Sequence, residues 1–205
     1  GRYLIGVADC TGCHSAWEAP RNPGLLAGGN EIVRGTHTAF SSNLTRHESG
    51  VAYPKDTFIA VMRTGKGESL HSIMPWTAFS GLTDQDLGAI YDALGDVYPV
   101  AHYVGNVGEL RHCAVCGQEH PLGEHNYLVL PKSVPVAATV LERLPGTYRS
   151  DAADWTIRVR REAGKLYARE NGSTADIELI ALTATRYLGS GLPAPVEFTL
   201  PVAGA

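Results

Sequence analysis

Cysteine and methionine are both scarce in this chain. Its 205 residues include four cysteines and two methionines. The four cysteines fall in two C-x-x-C pairs, Cys10/Cys13 and Cys113/Cys116. That is too few for a disulfide framework, and the clustering points to cofactor, metal or redox use. Runs of like charge are missing too. The formal net charge is −4, and without a basic patch neither nucleic acid nor a membrane surface is an expected partner. No stretch approaches the roughly 18 apolar residues that a membrane-spanning helix needs. A signal peptide is also missing. The chain nevertheless starts abruptly inside what reads as a helix, so a processed or trimmed N-terminus is expected.

What is present divides the chain into three textures. Residues 1–98 read as helices separated by long loops. "RYLIGVADC" can start as a helix, and the stretch from Pro20 to Pro54, rich in Gly, Asn, Ser and Thr, reads as loops and turns. "KDTFIAVMRTG" reads as a short helix with Phe58, Ile59 and Met62 on one face, ended by Gly65. "GLTDQDLGAIYDAL" is the clearest helix: Thr83 is a natural N-cap, and Leu87, Ile90, Tyr91 and Leu94 follow the helical period. Residues 99–135 are a Pro-, Gly- and His-bearing connector. From 136 to 205 the period changes to two. In "DWTIRVRR", Trp155, Ile157 and Val159 alternate with polar residues, and turn signals recur about every ten residues. The expected fold is α + β in two domains, a mainly α domain followed by a small antiparallel β domain.

In "VADCTGCHSAW", His14 follows the second cysteine directly. C-x-x-C-H is the attachment signature of c-type haem. Two thiols one helical turn apart reach the vinyl groups on one porphyrin edge, and the next residue offers an imidazole to the iron. A zinc site would need two more nearby ligands, and a thioredoxin-like pair a βαβ context; neither is evident. The sixth position falls to a thioether or a second imidazole. Met62 reads as a core residue of its helix. Met74 precedes Pro75, which disfavours helix at Met74 and leaves it in extended chain. His71 is its rival, but Met74 is the expected axial ligand.

The pieces "YLIGVADCTGCHSA", "GLLAGGNEI", "SSNLT", "FIAVMRTGKG" and "IMPWTAFSGLTDQDLGAIYDAL" resemble the haem modules of cytochrome c subunits of alcohol-, gluconate- and related dehydrogenases. The resemblance covers about residues 1–97. It implies a class I cytochrome c fold around one haem c, thioether-linked at Cys10 and Cys13, with His14 and Met74 axial. It also implies that Gly6 lets the N-terminal helix cross the last helix near Tyr91. Asn43 and Trp76 are placed near the haem, where each either donates to a propionate or simply packs its loop. Such subunits usually carry three modules and a membrane anchor, and this chain departs from that with one module followed by something else.

The second pair, in "RHCAVCGQEHPLGEHNY", has Gly117 where a haem ligand would stand. Two readings stay open. One is a zinc site from Cys113, Cys116, His120 and His125, whose spacing can close a tetrahedron. The other is a Cys113–Cys116 disulfide, favoured by assembly outside the cytosol. Either would staple a connector that has no core of its own.

The C-terminal pieces, including "LPGTY" and "KLYAR", resemble the small lipocalin-like β domains appended to serine β-lactamase-type hydrolases. That implies an accessory or docking domain. No Ser-x-x-Lys motif is present, so hydrolase activity does not carry over. Arg158, Arg160 and Arg161 read either as a docking patch or as a solvated strand face.

The expected function is electron transfer rather than catalysis, through one His/Met-ligated haem. Expected partners are redox proteins, including a dehydrogenase or respiratory complex, with oligomerisation open. The expected location is periplasmic or otherwise extracytoplasmic, with membrane association through partners or a removed anchor. The alternative is a haem enzyme or small-molecule-binding haem protein with a labile sixth ligand, in which His71 or His37 does acid–base work.

Overall fold

The computed structural model describes residues 1–67, 70–128, 130–149, 156–189 and 195–200. Trp155, the first apolar residue of the predicted strand, lies outside them. The chain separates into two compact units, residues 1–128 and 129–205. The stretch from 99 to 128 belongs to the first of these.

The first unit begins with α1 (Arg2–Val7) and α2 (Cys10–His14). The expected single helix is broken between them, where Asp9 takes a left-handed conformation at φ 52°. A hairpin follows, β1 (Glu31–Arg34) with β2 (His37–Phe40), inside the stretch read as loops and turns. Its exposed, barely alternating residues give no strand signal. α3 (Lys55–Thr64) buries Phe58 and Met62 and ends at Gly65 in the left-handed region, as the sequence predicts. α4 (Trp76–Phe79) starts immediately after Pro75. α5 (Asp84–Leu94) is capped by Thr83, whose side-chain oxygen accepts from the Asp86 N–H at 3.1 Å. Helices make up less than half of this unit's described residues.

One apolar cluster organises these helices. It contains Ile5 of α1, Leu26, Val51, Phe58 and Met62 of α3, Phe79 of α4, and Leu87, Ile90 and Leu94 of α5. Met62 is therefore a core residue. α1 packs on α5, but the close approach is at Gly1, not Gly6. A Cβ on Gly1 would fall 2.0 Å from the Ala89 carbonyl oxygen, whereas one on Gly6 would meet nothing within 4 Å. The rest of the unit holds a small second hairpin, β3 (Arg111–His112) with β4 (Glu119–His120), and a 3₁₀ turn over Gly123–His125.

The second unit has a short helix, α6 (Ala138–Leu141), and six strands: β5 (Gly146–Arg149), β6 (Thr156–Glu162), β7 (Lys165–Glu170), β8 (Ile177–Ala181), β9 (Arg186–Gly189) and β10 (Val196–Glu197). They form one antiparallel meander in sequence order. Ala163 and Gly164, both at positive φ, make the two-residue turn between β6 and β7. The alternation in β6 is as the sequence predicts, with Ile157 and Val159 inward against Leu144, Leu166, Tyr187 and Phe198. Arg160 pairs with Glu162 and Asp176, and Arg161 lies 3.5 Å from Glu142.

Candidate functional site

The C-x-x-C-H segment forms α2, a single helical turn. This places Cys10 against the apolar cluster, leaves Cys13 exposed and buries His14. Both sulfurs are free thiols. Burial pushes Cys10 up to about 11 and also raises Cys13, aided by the Asp9 carboxylate. Burial lowers His14 below the ordinary imidazole range. The His14 Nδ1 donates to the Ser42 carbonyl at 2.7 Å. That bond fixes the tautomer: the proton sits on Nδ1, and the Nε2 lone pair is left for a metal. These features fit a c-type haem: two available thiols and a neutral, oriented imidazole.

The segment before β1 is tied back to α2 and, through the Gly29 N–H to the Ser41 carbonyl at 2.8 Å, to the chain carrying Ser42. The Gly28 N–H donates to the His14 carbonyl at 2.8 Å, and the Leu26 N–H to Ser15 Oγ at 3.0 Å. Met74 is half-buried and borders the same apolar cluster as Cys10. It lies in a turn rather than extended chain, its N–H 3.4 Å from the His71 carbonyl. His71 Nδ1 accepts from the Ile73 N–H at 3.1 Å, so that nitrogen is occupied within the same turn. His37 is exposed at the start of β2.

Asn43 and Trp76 have their polar atoms engaged inside the protein. Asn43 Nδ2 donates to the Val100 carbonyl at 2.8 Å, the His102 carbonyl at 3.2 Å and Ser49 Oγ at 3.0 Å. Its Oδ1 accepts from the Thr45 N–H and hydroxyl at 2.9 and 2.8 Å. The Trp76 indole N–H donates to the His71 carbonyl at 3.0 Å. Both donors are thus bonded within the protein.

A second constellation lies in the same unit. His102, Cys113, Cys116 and His120 bring their ligand atoms within 4.8 Å of one another. Cys113 and Cys116 are not joined as a disulfide. Nor does His125 take part: it is exposed, its Nε2 3.7 Å from Glu124. The 3₁₀ turn carries it away, and His102 holds the fourth place. The sequence reading missed His102 because it lies eleven positions before Cys113, outside the short spacing that metal motifs follow. Its signal was a histidine among apolar neighbours in "YPVAHYV".

The knuckle is built locally. The Cys113 N–H donates to the Gln118 carbonyl, and the Gly117 N–H to the Cys113 carbonyl, both at 2.8 Å. The Cys116 N–H approaches Cys113 Sγ at 3.5 Å. Cys113 is held far below the usual thiol range, first by donation from Cys116; Cys116 is raised in turn.

No family model matches the chain. Among curated proteins it is 33% identical over 96 residues to the fructose dehydrogenase cytochrome subunit of Gluconobacter japonicus. It is 32% identical over 96 residues to the cytochrome c subunit of the quinone alcohol dehydrogenase of Gluconobacter oxydans. A third relative, the same cytochrome c subunit from Gluconacetobacter polyoxogenes, is also 32% identical over 96 residues, 44% of this chain and 20% of that protein. The first two matches cover 44% of this chain and 19% of each relative. The chain is thus similar, over less than half its length, to a short part of much longer cytochrome subunits of dehydrogenases.

Proposed function

We propose that this chain is an electron-transfer cytochrome carrying one covalent haem c. Cys10 and Cys13 hold the ring, and His14 and Met74 take the two axial positions. The observation that carries the reading is the α2 turn, where His14 is buried and its Nδ1 proton is committed to the Ser42 carbonyl. Similarity to cytochrome subunits of dehydrogenases supports the same reading.

The haem, when bound, supplies a one-electron couple at its iron. The protein's own residues do the rest. Ser42 fixes the imidazole plane and raises its basicity as a ligand. The apolar cluster around Phe58, Phe79 and Leu94 withholds water from the interior. A methionine ligand favours a higher reduction potential than a second histidine would. With His14 and Met74 holding the iron, the haem would leave no place for substrate and would supply outer-sphere electron exchange. The partner in this reading is a dehydrogenase or another redox complex on the extracytoplasmic side.

Intact mass of the purified protein is expected to show the chain plus one haem. The ferric spectrum is expected to be low-spin with the weak near-infrared methionine–iron band. Met74→Ala is expected to abolish that band and open the iron to carbon monoxide, while His71→Ala leaves it unchanged. High-spin bands and ready cyanide binding in the native protein would instead support the haem-enzyme alternative with a labile sixth ligand.

A further inference from the structure

The structure assigns a single structural zinc ion to His102, Cys113, Cys116 and His120. This site does not depend on the haem reading.

The decisive feature is the pair of imidazoles. His102 Nδ1 donates to the Ala27 carbonyl at 2.8 Å, and His120 Nδ1 to the Pro121 carbonyl at 3.0 Å. Each ring therefore carries its proton on Nδ1 and directs an Nε2 lone pair inward. The two Nε2 atoms face each other at 3.2 Å. Two lone pairs at that distance repel unless a cation lies between them. Two nitrogens about 2.0 Å from one tetrahedral centre stand about 3.3 Å apart, so the spacing suits one shared ion. Two soft sulfurs complete a Cys₂His₂ set, which suits zinc.

The site is closed. All four residues are 0% exposed, so no position is left for water or substrate, as in structural rather than catalytic zinc sites. A Rieske-type [2Fe–2S] cluster places its histidines on one iron and its cysteines on the other. That would separate nitrogens from sulfurs by the width of a cluster, whereas here all four ligand atoms crowd within 4.8 Å.

The ion's place in the fold gives it a task. Gly29, at φ +89°, passes so close to His102 that a Cβ would lie 2.6 Å from Cε1. Arg21 donates its N–H to the Cys116 carbonyl at 3.0 Å and its Nη1 to the Ala114 carbonyl at 2.8 Å. Gly28, next in the chain, donates to the His14 carbonyl, and Gly29 donates to the Ser41 carbonyl at 2.8 Å, beside the Ser42 carbonyl that holds the His14 ring. The zinc thus clamps the segment that orients the proximal histidine.

Elemental analysis of the full chain tests this, because zinc and iron are counted separately. One zinc per chain is expected, retained through dialysis, whether or not iron confirms the haem. Absorption at the zinc edge is expected to show two nitrogens at about 2.0 Å and two sulfurs at about 2.3 Å. His125→Ala is expected to keep the zinc, and His102→Ala to lose it. His102→Cys, which restores a fourth ligand, is expected to keep it and guards against simple misfolding. A zinc-free native chain whose mass lacks two hydrogens, a zinc shell without two sulfurs, or zinc retained by His102→Ala and lost by His125→Ala would each overturn the assignment.

Discussion

Asn43 shows how much one buried amide can carry. Its five hydrogen bonds join the loop at 43–49 to Val100 and His102. Asn43→Ala would leave the His102 carbonyl and the Thr45 N–H without their partner in a buried setting, while the Val100 carbonyl keeps the Ser49 and Thr45 hydroxyls. Each orphaned group costs about 1–3 kcal/mol, with water recovering part of it. A loss of about 2–4 kcal/mol is expected, read as a lower midpoint in denaturant unfolding with an unchanged slope. The family resemblance gave Asn43 a place near the haem but not this bonding pattern. Residue type and place along the chain identified His14, where chemistry depends on adjacency to Cys13. They did not identify His102, whose role depends on a contact with His120 across 18 positions.

Elements with a strong period were legible. α3, α5 and β6 bury the residues their periodicity selects, because one face of each meets a core. The β1–β2 hairpin was not legible, since most of its residues are exposed and its pairing rests on backbone bonds. The break after α1 was also hidden: a left-handed Asp9 has no sequence signal beyond the tolerance of Asp for that region. In the second unit the β6, β7 and β8 strands are joined by charge. Asp176, just before β8, accepts from Arg169 at 2.8 Å and from Arg160 at 2.7 Å. Donation from Arg169, then from Arg160, lowers its carboxyl from 3.8 to about 2. A carboxyl depressed by folding stabilises above its unfolded value and loses that contribution as pH falls through the folded one. Asp176→Asn is therefore expected to melt below the native protein at neutral pH. The difference should close between about pH 4 and pH 2 and shrink in high salt, as followed by thermal melts across pH.

At the scale of the whole molecule, the two metal constellations share one unit. His14, Met74, the four zinc ligands and all the hydrogen-bond partners described for them lie within residues 1–128. A chain ending at Leu128 is accordingly expected to keep the visible spectrum and the metal content of the full protein, measured on the same preparation scale. Loss of either would assign the β unit a part in holding the sites. The sequence suggested a boundary near residue 98 because helical periodicity stops there. Compactness instead extends through the knuckle, whose packing with the earlier loop comes from Ala19, Arg21 and Gly29, residues unremarkable when read along the chain.

The knot between Asn43, His102 and Ala27 also sets a clock. It joins segments 57 to 75 positions apart, and contacts of that separation close slowly because a long loop must first be gathered. The α2 turn is local and needs no such search. During assembly Cys10 and Cys13 should thus be presented on a short free segment while the loop around Ser42 is still open. Cys113 and Cys116 become unreachable when the knot closes. Pulsed alkylation during refolding of the haem-free chain should then show Cys13 reactive throughout and the second pair protected in a later phase. Equal protection of both pairs from the start would refute that order. Two thiol pairs of identical spacing would be told apart by when each is withdrawn from solvent.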